Sequence, residues 1–270
     1  MSAAARPPRG GLFALTLGLP AAWLIAFFLV PMAALWLISL GATARAFEGL
    51  YLAILLKSAG LAALVTAICL VAGFPVALAI AFAPARWKPW LLLAVMLPFW
   101  TNLFIRTYAL AALLRSQGLV NQAFGLIGIG PLPLMHNDFA VTLGLVYVHL
   151  PFMVLPLYAA LDRLDRHLIE ASLDLGASHL RTMVAIVLPL CLPGIAAGLL
   201  VTFVPALGSY LTPDLLGGPD SQMIAGVIER QFKRADDWPF GAALSFMLIY
   251  LTFAGVAAQS WLARRRERAV

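Results

Sequence analysis

Long stretches without a single Asp, Glu, Lys or Arg divide this chain, and they decide what it can fold into. The runs are Gly10–Ala44 (35 residues), Ser58–Ala85 (28), Pro89–Ile105 (17), Ser116–Asn137 (22), Phe139–Leu161 (23), Thr182–Pro213 (32) and Trp238–Ala263 (26). About 20 apolar residues in helical conformation cross the hydrocarbon of a bilayer. Hydrophobic residues make up 63% of the chain and charged ones 11%, where soluble proteins carry about 25% charged. A soluble domain has no way to cover that much apolar surface. This excludes a soluble enzyme, a disordered regulator and a free nucleic-acid binder. Open sheet edges cannot face lipid, so the expected class is an all-α membrane protein.

Seven runs do not mean seven spans. Ser116–Asn137 holds Gln117, Asn121, Gln122, His136 and Asn137 among four glycines and two prolines, which suits a loop with a short re-entrant or interfacial helix. Pro89–Ile105 reaches span length only by running on past Arg106 through Thr107–Leu114. Six crossings remain, with both termini on one side. The segments on that side then carry eleven cations and five acids, net +6, against seven and seven on the other. Cytoplasmic loops hold the Lys/Arg excess, so both termini are expected to be cytoplasmic. A seventh span would put the Arg264–Arg268 cluster outside. The apolar stretch Leu12–Leu40 is too long for a signal-peptide core and reads as a retained helix, with Pro20 and Pro31 as sites of bending. The division is a tail (1–10), one six-span domain (11–263) and a basic tail (264–270).

Catalytic chemistry is missing. The one Lys followed by Ser or Thr, Lys57, has no glycine in the six residues before it, so there is no phosphate-binding loop. His136, His149, His167 and His179 show no metal-ligand spacing, and Cys69 and Cys191 sit in apolar runs as packing residues. A pairing of Ser209 with His149 as an intramembrane protease is outweighed by the plainer reading of Gly208–Ser209 as a site of helix unwinding or packing. No enzyme and no cofactor are expected in this chain. No span carries an ionisable group near its centre; His149 comes nearest and reads as hydrogen-bonded to a neighbouring helix. Any uphill transport would draw its energy from elsewhere, such as a separate ATPase chain.

The loop between the fourth and fifth spans carries the positive signal. Leu161, Leu164, Leu168, Ala171 and Leu175 recur at three- and four-residue steps, with Arg163, Arg166, His167, Glu170 and Asp174 opposite. This predicts one amphipathic helix. Gly176 ends it, and Ser178 is placed to cap a second short helix before Pro189 and Pro193. Glu170-Ala171-Ser172, then Gly176, then Ile186, Leu188 and Pro189, resembles at the same spacing the cytoplasmic signature of type I ABC importer permeases. Ser172 stands where that signature has its second Ala, and Met183 where an aromatic is common. Leu97–Tyr108, Asp174-Leu-Gly-Ala177, Leu215–Gly218 and Asp237–Gly241 are similar to the spermidine/putrescine branch, most to the first of its two permease subunits.

The resemblance implies a six-helix importer domain with its core over about 54–260 and a cytoplasmic coupling helix, in a bacterial inner membrane. It implies docking of an ATP-binding ABC ATPase dimer through Glu170, Ala171, Ser172, Asp174, Gly176 and Ala177. It also implies a second permease subunit, an external solute-binding protein, and half of a pathway for polyamines such as spermidine and putrescine. Another small cationic or zwitterionic solute is the alternative. Membrane lipid is the remaining partner, and nucleic acid is not one.

Trp100, Asn102 and Tyr108 are the candidate pathway residues, because a ring face holds an ammonium group by cation–π attraction. An aromatic belt at the outer interface explains the two rings equally well. Arg106 would repel a polyamine and is expected to anchor the span or pair with Asp138 or Asp214. Beyond the turn at Gly217–Asp220, Met223, Ile224, Val227, Ile228 and Phe232 share one side of a helix that either rests on the membrane interface or meets the binding protein. Gly194 and Gly198 read as a close-packing pair.

Overall fold

A computed structural model describes residues 10–267, with side chains across 18–257. Of the two expected tails, residues 1–9 and 268–270 lie outside the described residues, and with them Arg6, Arg9 and Arg268. Helix is the regular structure throughout the described residues. Five helices there are long and apolar enough to cross a membrane, and a bent pair is the candidate for a sixth crossing. We label the elements α1 (Gly18–Ala46), α2 (Gly49–Phe82), α3 (Lys88–Trp100), α4 (Leu103–Leu114), α5 (Leu119–Leu126), α6 (Asp138–Asp162), α7 (Arg166–Asp174), α8 (His179–Leu207), α9 (Leu211–Leu216), α10 (Ile224–Arg230) and α11 (Trp238–Glu267).

The core lies between α2, α6 and α8. Val65, Cys69, Leu145, Met153, Val154, Leu157 and Cys191 are all buried there. The α8 backbone comes close to α6 because Gly194 faces Ala160 and the Pro156 carbonyl, where a β-carbon would overlap both. Gly198 meets Met153 in the same way. Close packing is therefore what this pair does.

Two prolines are accommodated by the same device. A proline removes one backbone donor and crowds the carbonyl four residues back. Pro31 follows a π turn at Ile25–Leu29, and Pro189 follows one at Met183–Val187. In each, the next N–H reaches back five residues, Val30 to the Ile25 carbonyl and Leu188 to that of Met183. The expected bend in α1 thus takes the form of one wide turn.

α1 packs mainly on α11, where Trp36 Nε1 donates to the Tyr250 hydroxyl at 2.9 Å. Phe27, Phe28 and Leu37 stay exposed. Ion pairs sort the charges by end, as the charge count divides them. At one end Arg45 meets Asp237 at 3.1 Å and Lys57 meets Asp138 at 3.3 Å. Lys57 also donates to the Asp220 carbonyl. At the other, Lys88 pairs with Asp162.

The third crossing departs from expectation. It breaks after Trp100, and the helix beyond runs at 90° to the one before. Pro98 cannot donate, and Asn102 starts a new helix by accepting the Phe104 N–H at 2.8 Å. The Ser116–Asn137 stretch is the loop it promised to be: α5 is one short helix, and Asn121, buried, bonds the Arg115 carbonyl and both polar backbone groups of Leu132.

Candidate functional site

α7 begins where Asp165 accepts the His167 N–H at 3.0 Å. It ends in a Schellman turn: Gly176 N–H donates to the Leu173 carbonyl at 2.9 Å and Ala177 N–H to that of Ser172 at 3.1 Å. Gly176 has φ +82°, a left-handed conformation that a β-carbon makes costly. Its role is therefore to stop α7 and turn the chain, and Ala177 completes the turn. Ser178 then accepts the Arg181 N–H at 3.3 Å, and the short helix it caps runs straight into the fifth span.

The expected single helix is divided, and only part of its apolar stripe faces outward. Leu161 belongs to α6, and 163–165 break the helix before α7 starts. Nothing in α7 is fully buried. Ile169, Ser172 and Leu173 lean on the bundle, while Leu168, Ala171 and Leu175 point away, Leu175 at 89% exposure. Leu180 continues that surface at 76%. Glu170 and Asp174 are exposed beside it, Glu170 only 3.5 Å from His167 Nδ1 in a solvent-screened pair. Ser172, the departure from the signature, bonds its hydroxyl to that of Thr182 at 2.9 Å and so ties α7 to α8.

Trp100 and Asn102 lie at the elbow of the third crossing, and Tyr108 lies within α4 beyond it. Asn102 is its helix cap; Trp100 and Tyr108 are exposed at 73% and 55%. Phe99 packs edge-on against Phe152 of α6, centroids 5.2 Å apart. Phe152 lies about 15 Å along α6 from Asp162 at 1.5 Å per residue.

Arg106 corrects one expectation. It pairs with neither Asp138 nor Asp214; Lys57 holds Asp138. Its guanidinium lies 5.6 Å from the Tyr147 ring centroid, and Nη1 donates to the Pro98 carbonyl at 3.1 Å. The side chain is buried and its Nε has no partner. Tyr147 sits about 22 Å along α6 from Asp162, so the cation is held against the side of α6 rather than at its end. Thr101 donates to the same Pro98 carbonyl through its N–H and its hydroxyl. Three donors on one carbonyl hold the elbow. His149 is buried nearby, its ring between the Leu145 carbonyl and the Pro205 carbonyl of the neighbouring α8.

Residues 11–268 match the family of binding-protein-dependent transport system inner membrane components. The chain belongs to this family. The permease is 44% identical over 206 residues to the spermidine/putrescine transport system permease protein PotB of Escherichia coli (strain K12), covering 76% of this chain and 75% of that one. To PotB of Haemophilus influenzae it is 38% identical over 227 residues, covering 82% and 79%. Its fold matches that of a bacterial ABC transporter involved in import of the acidic polysaccharide alginate, with a TM-score of 0.76 at 18% identity over 94% of this chain and 95% of that one. The permease is thus a multi-pass inner-membrane transport subunit of the type I importer fold and not an enzyme.

Sequence reasoning passed over Arg106 as a flank and Arg166 as one charge on a solvated face. Arg166 Nη2 in fact donates to the Ala81 carbonyl at 3.1 Å. Pro98 followed by Asn102 is the signal that marks the elbow in advance, since one cannot donate and the other is a preferred cap.

Proposed function

We propose that this permease forms half of an ATP-driven import path for polyamines such as spermidine and putrescine. Its relatives in Escherichia coli and Haemophilus influenzae carry that solute in their names. In this reading residues 11–263 are one six-span domain with its core at about 54–260, both termini are cytoplasmic, and the α7 end faces the ATPase. The charge split of +6 against zero supports that orientation. The partners are an ABC ATPase dimer, a second permease subunit and the periplasmic binding protein that the family description presupposes. ATP binds the ATPase, and this chain needs no cofactor.

One observation carries the coupling role: α7 rests on the bundle through Ile169 and Leu173 while Leu168, Ala171 and the following Leu175 stay exposed at the end of the bundle. Burying a leucine of that kind in a partner is worth roughly 1.5–3 kcal/mol. Glu170 and Asp174 supply polar contacts beside Ala171. Ser172, Gly176 and Ala177 fix the angle at which the helix is offered. In the membrane, Trp100 and Tyr108 present ring faces to an ammonium group and Asn102 a neutral amide.

Glu170→Lys and Gly176→Asp are expected to leave the chain inserted while abolishing uptake of labelled putrescine, through lost ATPase co-purification or lost stimulation of hydrolysis. Parental behaviour of both variants in all three assays would overturn the coupling role. Reporter fusions after Ala42, Pro84, Asn121, Asp174, Asp220 and Arg268 should alternate from outside to inside. An inside signal at Asp220 with an outside signal at Arg268 would overturn the orientation.

A further inference from the structure

Four helix ends meet at the base of the bundle, beside the coupling loop. α2 ends at Phe82, α3 begins at Lys88, α6 ends at Asp162 and α7 begins at Arg166. Two cations knot them together. Arg166 donates to the Ala81 carbonyl, with its guanidinium 5.3 Å from the Phe82 ring centroid. That carbonyl is among the last four of α2, which lack helical donors, and the negative end of the helix dipole favours a cation there. Lys88 pairs with Asp162, the two side chains 20% and 38% exposed. The start of α3 is thereby fastened to the last residue of α6, just ahead of the Asp165 cap of α7.

Little else holds α3. No residue from Lys88 to Trp100 is buried. Leu92 and Val95 touch the core half-buried, and Phe99 meets Phe152 near the far end. At that far end Arg106 grips the Pro98 carbonyl. A helix of this length is about 20 Å long and stiff. Fastened at both ends, and touching the core between them through Leu92 and Val95, such a helix is suited to carry a displacement of its base to its tip.

We propose that Lys88, Asp162 and Arg166 are positioning residues that pass movement of the coupling helix to α3, which works the elbow at Trp100 as a lever. The proposal rests on the reading of α7 as the ATPase-docking helix. Movement enters at α7, crosses to α2 through Arg166 and to α3 through Asp162 and Lys88, and emerges at the break where the span turns through 90°. The planar fork of Arg166 gives its bond a direction that a flexible ammonium lacks.

The test uses the assembled transporter in proteoliposomes with its ATPase, second permease and binding protein, and labelled putrescine as probe. Lys88→Asp and Asp162→Lys are each expected to lower uptake about tenfold or more with the ATPase still bound, and the exchanged pair to recover most of it. Leu97→Cys, at an exposed position next to the elbow, supplies a readout that a merely structural role would not move. Its labelling by a thiol reagent should change on adding ATP in the parent, stay constant in Lys88→Asp, and change again in the exchanged pair. If Lys88→Asp fails to insert, Lys88→Gln takes its place with the same expectations. Parental uptake in the single variants, or ATP-dependent labelling that survives in them, overturns the lever. Gly176→Asp in the same preparation separates the two ideas. If it stops uptake while Lys88→Asp does not, the lever falls and the coupling role stands; if it leaves uptake at the parental level, both fall.

Discussion

α7 and α10 are both short helices outside the spans, nine and seven residues long, and both carry apolar residues at helical steps. They meet opposite fates. α10 lays Ile224 and Val227 into a core with Leu55, Phe240 and Leu244, and the Ile224 N–H finds the Ser58 hydroxyl at 2.8 Å. α7 buries nothing fully and leaves Leu168 and the adjoining Leu175 exposed. One helix is finished within the chain; the other keeps part of its apolar surface exposed. An apolar stripe reveals that a helix has something to bury, not whether the same chain will bury it.

Identical substitutions in the two helices break or sharpen this contrast. Ile224→Asp puts an unpaired charge in a closed core, at a cost of about 3–5 kcal/mol, and should prevent recovery of folded protein in detergent. Leu175→Asp should change thermal stability of the isolated permease by less than about 0.5 kcal/mol, yet lose the ATPase on co-purification. If Leu175→Asp unfolds the chain as Ile224→Asp does, the contrast is wrong. Ser58→Ala removes the acceptor of the Ile224 N–H and should cost about 1–3 kcal/mol, seen as a lower melting temperature with α10 in place. Ser178→Ala should cost about 1 kcal/mol and show itself as faster amide exchange confined to His179–Arg181.

What could be read in advance depended on how local its cause is. Charge-free runs, the Asn121 loop and the stop at Gly176 each follow from residues within one segment, and each was legible. The direction of α7 was not, because Leu168 and Leu175 look the same whether they face a bundle or a partner. The depth of Arg106 was hidden for a related reason: counting along the chain places it at the end of a span, and only the turn after Trp100 folds it back beside Tyr147. The knot at Arg166 joins residues far apart in sequence through a backbone carbonyl, which no side-chain pattern marks. The π turns ahead of Pro31 and Pro189 lie between these cases, since proline announces a disturbance without saying which turn will absorb it.

The buried Arg106 also constrains the order in which the chain is made. A guanidinium left in the hydrocarbon of a helix costs about 2.5–3.5 kcal/mol even on insertion scales. Its cover comes from Tyr147, on a helix synthesised later. Until α6 is made, Arg106 lacks the Tyr147 ring that covers it, so its burial is completed only when α6 packs beside the elbow.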